Sequence, residues 1–152
     1  MLEKKMQQLF TQSIHYNMKE FMKSEKYLYH KLSDLSMDMK PSDCFLITEK
    51  KVFLFELKVC KNKNKISPFK LLQGIQHSSL KKVHNPAENH YSYIVIRLEN
   101  HKLNNKRVII FIPADIEDKQ YNILELIEKY SVDYTYDSMM RTNRLNLYQL
   151  IK

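Results

Sequence analysis

The chain has 152 residues, of which 43% are hydrophobic, with 10 Tyr, 7 Phe, 4 Pro and 1 Gly. That content excludes a disordered chain, and the length suits one domain, 1–152, around a sizeable core. Lys and Arg number 25 against 17 Asp and Glu, a formal net charge of +8; this favours a polyanionic partner such as nucleic acid, although a Lys-, Asn- and Ile-rich composition also raises lysine by itself.

Cys44 and Cys60 are the two cysteines. They form neither a Cys-x-x-Cys pair nor a Cys/His zinc spacing, which is the usage of reduced thiols in a cytoplasmic protein. No apolar run reaches the roughly 18 residues of a membrane span, and the N-terminus has no signal-peptide pattern, so the expected location is the cytoplasm, or the host cytoplasm for a phage- or virus-encoded protein. No internal repeat is present.

Residues 2–35 read as a helical N-terminal segment. They lack Gly and Pro, and Leu9, Phe10, Ile14, Met18, Phe21, Met22 and Leu28 recur at spacings of three and four. Glu20 and Glu25 are the glutamates in its second half, and a solvated helix face accounts for both. Tyr27 to Leu32 reads as a segment that leaves the helix extended, with His30 and Lys31 placed either to contact phosphate or to form a surface pair. Residues 33–42 read as loop, and Pro41 biases Lys40 toward an extended approach to the next strand.

Residues 45–48 and 52–59 are rich in β-branched and aromatic side chains and are separated by Glu49-Lys50-Lys51, a hairpin signal. Alternation puts Val52, Leu54, Glu56 and Lys58 on one face and Phe53, Phe55, Leu57 and Val59 on the other. An acid and a base in so apolar a strand cost burial energy unless each has a partner. Asp43, entering the first strand, is placed to meet Glu56 across the hairpin. Two neighbouring carboxylates repel, and a hard cation such as Mg2+ or Mn2+ turns that repulsion into binding. Glu-x-Lys also arises by chance in a chain that is 28% charged, usually as a solvated pair. The apolar strand and the spacing of Asp43 weigh against that reading here.

Val59-Cys60-Lys61-Asn62-Lys63-Asn64-Lys65 reads as a basic, flexible connection whose lysines Lys61, Lys63 and Lys65 are placed to neutralise backbone phosphates. Ser67 and Pro68 are an N-cap and first-turn pair opening a helix through about Val83. Phe69, Leu72, Gln76, Leu80 and Val83 then share a stripe, which sets Gln76 among apolar neighbours, where its amide needs a partner. Gln73 is the fallback for that role, and His77 reads as surface.

Residues 84–90 read as loop, and 91–98 and 107–112 as strands that extend the sheet, the second ended by Pro113. Asp115 is the expected cap of a helix carrying Ile116, Ile123, Leu124, Leu126, Ile127 and Tyr130. Three histidines fall in residues 84–101 without a zinc-ligand spacing. The segment 115–152 reads as helical, its tail with Tyr134, Tyr136, Arg141 and Arg144 being a terminal helix on the core, a dimer contact or a base-stacking surface.

Asp43 followed after a hairpin by Glu56-x-Lys58 resembles the signature of the PD-(D/E)XK nucleases, here as Pro41-Ser42-Asp43 with one residue inserted between Pro and Asp. More narrowly, Lys31-Leu32-Ser33-Asp34, Pro41-Ser42-Asp43, Phe55-Glu56-Leu57-Lys58, Ser67-Pro68-Phe69 and Gln76-x-x-x-Leu80 are similar in order to RecU-type Holliday-junction resolvases and their phage relatives. The resemblance spans residues 10–112. It implies a restriction-endonuclease-like α/β core, a central mixed sheet flanked by helices, with the catalytic hairpin and helix in 41–83. It also implies catalysis by Asp43, Glu56, Lys58 and Gln76 with Mg2+ or Mn2+ on Asp43 and Glu56, and branched DNA cut by a homodimer. The family often adds a glutamate from the first helix. Here Phe10-Thr11 stands where its Phe-Glu is expected, which leaves Glu20 as the candidate ligand. The rivals are a nuclease of the same fold with a restriction, repair or replication-linked target, and a non-catalytic basic DNA-binding protein on this scaffold.

Overall fold

The apolar run after Lys51 forms the strand Val52–Lys61, and the run after Asn89 forms the strand His90–Glu99. They lie side by side and parallel, from Val52 opposite His90 to Lys61 opposite Glu99. A parallel pair inside a sheet is covered on both faces, which is why both strands read as nearly continuous apolar runs. The structure is a computed structural model that describes residues 2–24, 28–31, 43–72, 76–99, 107–132, 134–137 and 142–145, with side chains in the first helix described for residues 8–19.

In chain order the strands are β1 (Leu28–Lys31), β2 (Cys44–Ile47), β3 (Val52–Lys61), β4 (Lys65–Ile66), β5 (His90–Glu99), β6 (Arg107–Pro113), β7 (Tyr121–Asn122), β8 (Tyr134–Asp137) and β9 (Thr142–Leu145); the α-helices are α1 (Leu2–Ser24), α2 (Gln76–Val83) and α3 (Ile123–Tyr130). The main sheet has the order β1-β2-β3-β5-β6, antiparallel except between β3 and β5. This is the central mixed sheet of an α/β fold flanked by helices, and its two faces carry separate apolar layers. On one, Phe10, Ile14 and Met18 of α1, spaced four apart, pack with Phe53, Phe55, Leu57, Val95 and Phe111. On the other, Leu54, Ile94, Ile96 and Ile112 lie beneath Phe69, Leu80 of α2, and Ile123 and Leu126 of α3. The alternation expected along β3 thus holds, and Cys44 of β2 and Cys60 of β3 fall in different layers, both buried and neither in a disulfide.

With 1 Gly in the chain, asparagine takes the left-handed backbone positions. Asn62 ends β3 at φ 57° and Asn89 precedes β5 at φ 62°, a conformation that asparagine tolerates better than most residues. Thr48 closes the β2–β3 turn, its Oγ1 accepting from Lys51 N at 2.9 Å.

Several expectations are corrected. The helical N-terminal segment expected over 2–35 is helix over Leu2–Ser24, while the extended exit expected over 27–32 is present as the strand Leu28–Lys31, paired with β2 at the sheet edge. The single helix from Ser67 to Val83 is instead a 3-10 turn, Pro68–Leu71, followed by α2 from Gln76. Ser67 makes no side-chain cap bond, and Leu72 is extended at φ −87°, ψ 151°. Burial of Pro68 and Phe69 in the core outweighs helix continuity there.

Asp115 caps no helix. Asn122 does so, its Oδ1 accepting from Leu124 N at 2.9 Å, and Ile116 packs on the core from a turn outside α3. Beyond α3 the helical reading of 115–152 fails again, since β8 and β9 form an antiparallel hairpin, with β9 beside α1. Tyr134 and Tyr136 at alternate positions are the strand signal that reading passed over. The Ser33–Ser42 loop, Glu25, Gln73 and His101 lie outside the described residues, as do the side chains of Glu20, His30 and Lys31. No helix among the described residues is long and apolar enough to cross a membrane.

The aromatic layer under α1 gives two tests. Phe55 is fully buried, stacked on Phe53 at 5.9 Å and edge-on to Phe111 at 5.9 Å. Phe55→Ala is expected to lower stability by about 3–5 kcal/mol, read by denaturant unfolding; a loss under about 1 kcal/mol would contradict this packing. Burial, then the neighbouring Tyr91 and Asp115, push the Tyr93 phenol up to about 12. The neutral phenol is favoured in the folded state. Its contribution is therefore whole below the unfolded value of 10.0 and is lost as pH rises from there through about 12. Tyrosinate absorbance should show a late-titrating group that Tyr93→Phe removes.

Candidate active site

Glu56 lies midway along β3, on the face opposite α1, and is 2% exposed. Two donors reach it, and both approach one carboxylate oxygen. Gln76 Nε2 donates to Glu56 Oε1 at 2.9 Å, and Lys58 Nζ stands 3.5 Å from the same atom. Gln76 is itself 7% exposed and is the first residue of α2, so the helix brings its amide down onto β3. Lys58 shares the face of Glu56 through strand alternation, and at 23% exposure its ammonium lies where the buried site meets solvent.

Asp43 sits at the start of β2 and straddles Glu56. Its N–H donates to Phe55 O at 3.0 Å, and its Oδ2 accepts from Leu57 N at 2.8 Å. The sequence placed Asp43 across the hairpin from Glu56. The structure brings it to the peptide groups on either side of that residue and uses one carboxylate oxygen to satisfy a backbone N–H there. A buried charge with fixed donors is tolerable, and the same groups orient it.

Among the described residues no group of three His, Cys, Asp or Glu is arranged to hold a metal ion. The donors at this site are two carboxylates with an amide and an ammonium beside them. That set fits Mg2+, which is commonly held by one or two carboxylates and completes its octahedron with water and substrate phosphate. It does not fit a structural zinc site, which is closed by four Cys or His ligands.

The basic segment after Lys58 is pinned, where the sequence suggested a flexible connection. Asn62 N bonds Glu99 O at 2.8 Å, Lys65 pairs with Asn122 in the small β4–β7 sheet, and Ile123 N donates to Asn64 O at 2.9 Å. The start of α3 therefore fixes the path on which Lys61, Lys63 and Lys65 are exposed.

The sequence reading misjudged one histidine and left the burial of another unread. His77, read as surface, stacks on Phe69 at 4.1 Å with its Nε2 buried. His84, read as loop, has a side chain only 4% exposed. Its signal was available, since it lies eight residues past Gln76 and four past Leu80, on the stripe that faces the sheet.

No protein-family model matches the chain. No curated protein matches it either. Among solved structures, the chain is similar to that of Hjc from Archaeoglobus fulgidus, a Holliday junction resolvase from an archaeal hyperthermophile. The identity is 12%, 76% of this chain and 90% of that one are covered, and the TM-score is 0.49. A likeness this loose carries nothing about the side chains of the site.

The hydrogen bond from α2 to Glu56 has a measurable weight. Gln76→Ala leaves a buried carboxylate short of a donor and is expected to cost about 1–3 kcal/mol in denaturant unfolding. Gln76→Glu, which sets a second carboxylate against the first, is expected to cost more. Wild-type stability in both variants would show that the contact carries no weight.

Proposed function

We propose that this protein is a divalent-metal-dependent endodeoxyribonuclease and that its substrate is branched DNA, a four-way junction above all. The observation that carries the proposal is a carboxylate 2% exposed within an apolar strand, with Lys58 Nζ at 3.5 Å, Gln76 Nε2 at 2.9 Å and the Asp43 carboxylate bonded to the next peptide N–H. A carboxylate placed there only for stability is costly, whereas one that shares a hard cation with a second carboxylate and a substrate phosphate has a reason to be buried and oriented.

Asp43 and Glu56 would hold Mg2+ or Mn2+, which when bound polarises a phosphoryl oxygen and lowers the pKa of a coordinated water. Gln76 keeps the Glu56 carboxylate turned one way. Lys58, a compact charge at the mouth of the site, orients the attacking water or offsets the charge that builds on the phosphate. Lys61, Lys63 and Lys65, ordered by the β4–β7 pairing, run outward from the same strand and neutralise successive phosphates. The substrate preference and the homodimer follow from the resemblance of the motifs: paired nicks on opposed strands require two sites.

The test is cleavage of a labelled four-way junction and of linear duplex, with Mg2+, Mn2+ or EDTA, by wild type and Glu56→Ala. Paired, metal-dependent nicks in the junction that vanish in the variant are expected. Cleavage of duplex in preference would move the protein to another nuclease role, and tight binding without cleavage would make it a DNA-binding protein on this scaffold. Replacing Lys63 and Lys65 together by Ala should lower the slope of log affinity against log salt by about 2, since each lost phosphate contact removes about 0.9.

A further inference from the structure

Gln76 and Leu80 of α2 and His84, one residue past its end, recur at intervals of four. Positions so spaced on an α-helix lie one above another, and here the line faces the sheet. Gln76 is 7% exposed, Leu80 is fully buried, and the His84 side chain is 4% exposed. His84 prolongs the helical bonding, its N–H donating to Leu80 O at 3.0 Å.

Both ring nitrogens of His84 are engaged. Nδ1 accepts the backbone N–H of Ser92 in β5 at 3.0 Å, and Nε2 lies 3.3 Å from Asp115 Oδ2 in the turn after β6. Because Nδ1 accepts, the hydrogen of the ring is on Nε2 and points to Asp115. With both nitrogens so engaged, the ring bridges β5 and the turn after β6.

α2 needs fastening. It is eight residues long and buries only Gln76 and Leu80, and two helical turns have little stability of their own. Besides buried Leu80, its apolar contacts are the part-buried Val83 and the stack of His77 on Phe69, none of them directional, and a small rotation or slide would carry Gln76 off Glu56. The two polar ends of the stripe remove that freedom, since Gln76 bonds β3 and His84 bonds β5. Those strands are locked in parallel register, Leu54 beside Ser92 and Glu56 beside Ile94.

We propose that His84 is a positioning residue of the candidate active site, its doubly bonded ring setting the register of α2 and so holding Gln76 on Glu56. The functional meaning of this role rests on the nuclease reading. Its geometry is tested without it, by deuterium exchange of the Gln76 side-chain amide in nitrogen-15 spectra, the resonances being identified by their loss in Gln76→Leu.

In His84→Ala the Gln76 amide is expected to exchange about tenfold faster than in wild type, the worth of one hydrogen bond, while backbone amides of β3 and β5 keep their protection. His84→Asn, whose Oδ1 can accept from Ser92 N–H, is expected to restore most of the protection. Unchanged Gln76 exchange in a folded His84→Ala, or equal exchange in the Asn and Ala variants, would overturn the proposal. If His84→Ala does not fold, Asp115→Ala decides, because it removes only the outer partner, 63% exposed. Faster Gln76 exchange there supports the role and unchanged exchange overturns it. On DNA, kcat should fall in the order in which protection is lost, with KM unchanged. Wild-type protein that cleaves no DNA would defeat the nuclease reading and leave the exchange data to judge His84.

Discussion

Glu56 stands between Phe55 and Leu57 in sequence but points to the opposite face of a strand covered on both faces, and charge so placed has to be matched by groups brought to it. Much of the surrounding chain meets that demand. Lys58 comes from the same strand face, Gln76 from a helix on the far side of a connection, and Asp43 from the adjacent strand, where it binds the peptide beside Glu56. Each arrives on a different element, so the carboxylate is held only when β2, β3 and α2 are all docked.

From this buried point the chain grades outward in polarity along β3. Glu56 is enclosed, Lys58 is partly exposed, and Lys61, Lys63 and Lys65 are exposed. Positive charge thus follows the chain outward from the carboxylate, an arrangement consistent with the proposed polyanionic substrate. The segment does not wait for a partner to order it. Asn62 in the left-handed conformation, the β4–β7 pair and the first turn of α3 already set its course, so less entropy is lost on binding than a free loop would forfeit.

Where local pattern and tertiary contact agreed, the sequence was readable. Phe10, Ile14 and Met18 at helical spacing, the alternation along β3 and the apolar run of β5 each report the surface they are packed against. Of the proposed site, Asp43, Glu56, Lys58 and Gln76 were legible as a set. Where the two disagreed it was not. Ser67-Pro68 is a sound helix opening, yet the chain there buries Phe69 and extends at Leu72, because the core needed the ring more than the turn needed its hydrogen bonds. The strands β8 and β9 were missed because, at four residues each, the alternation of Tyr134 and Tyr136 is too short to stand out against a helical reading.

Spacing and side-chain chemistry determined, without any structure, that an acid and a base share one face of an apolar strand, that a second acid enters beside it, and that the chain carries excess positive charge. Alternation and helical periodicity are local rules, and residues close in sequence obey them whatever lies around. Only the tertiary structure decided that β5 lies parallel to β3, that the lysine segment is tied to α3, and that His84 joins α2 to β5 and Asp115. Those contacts join residues far apart in the chain. The free energy of closing such loops is met by packing that no short window of sequence contains.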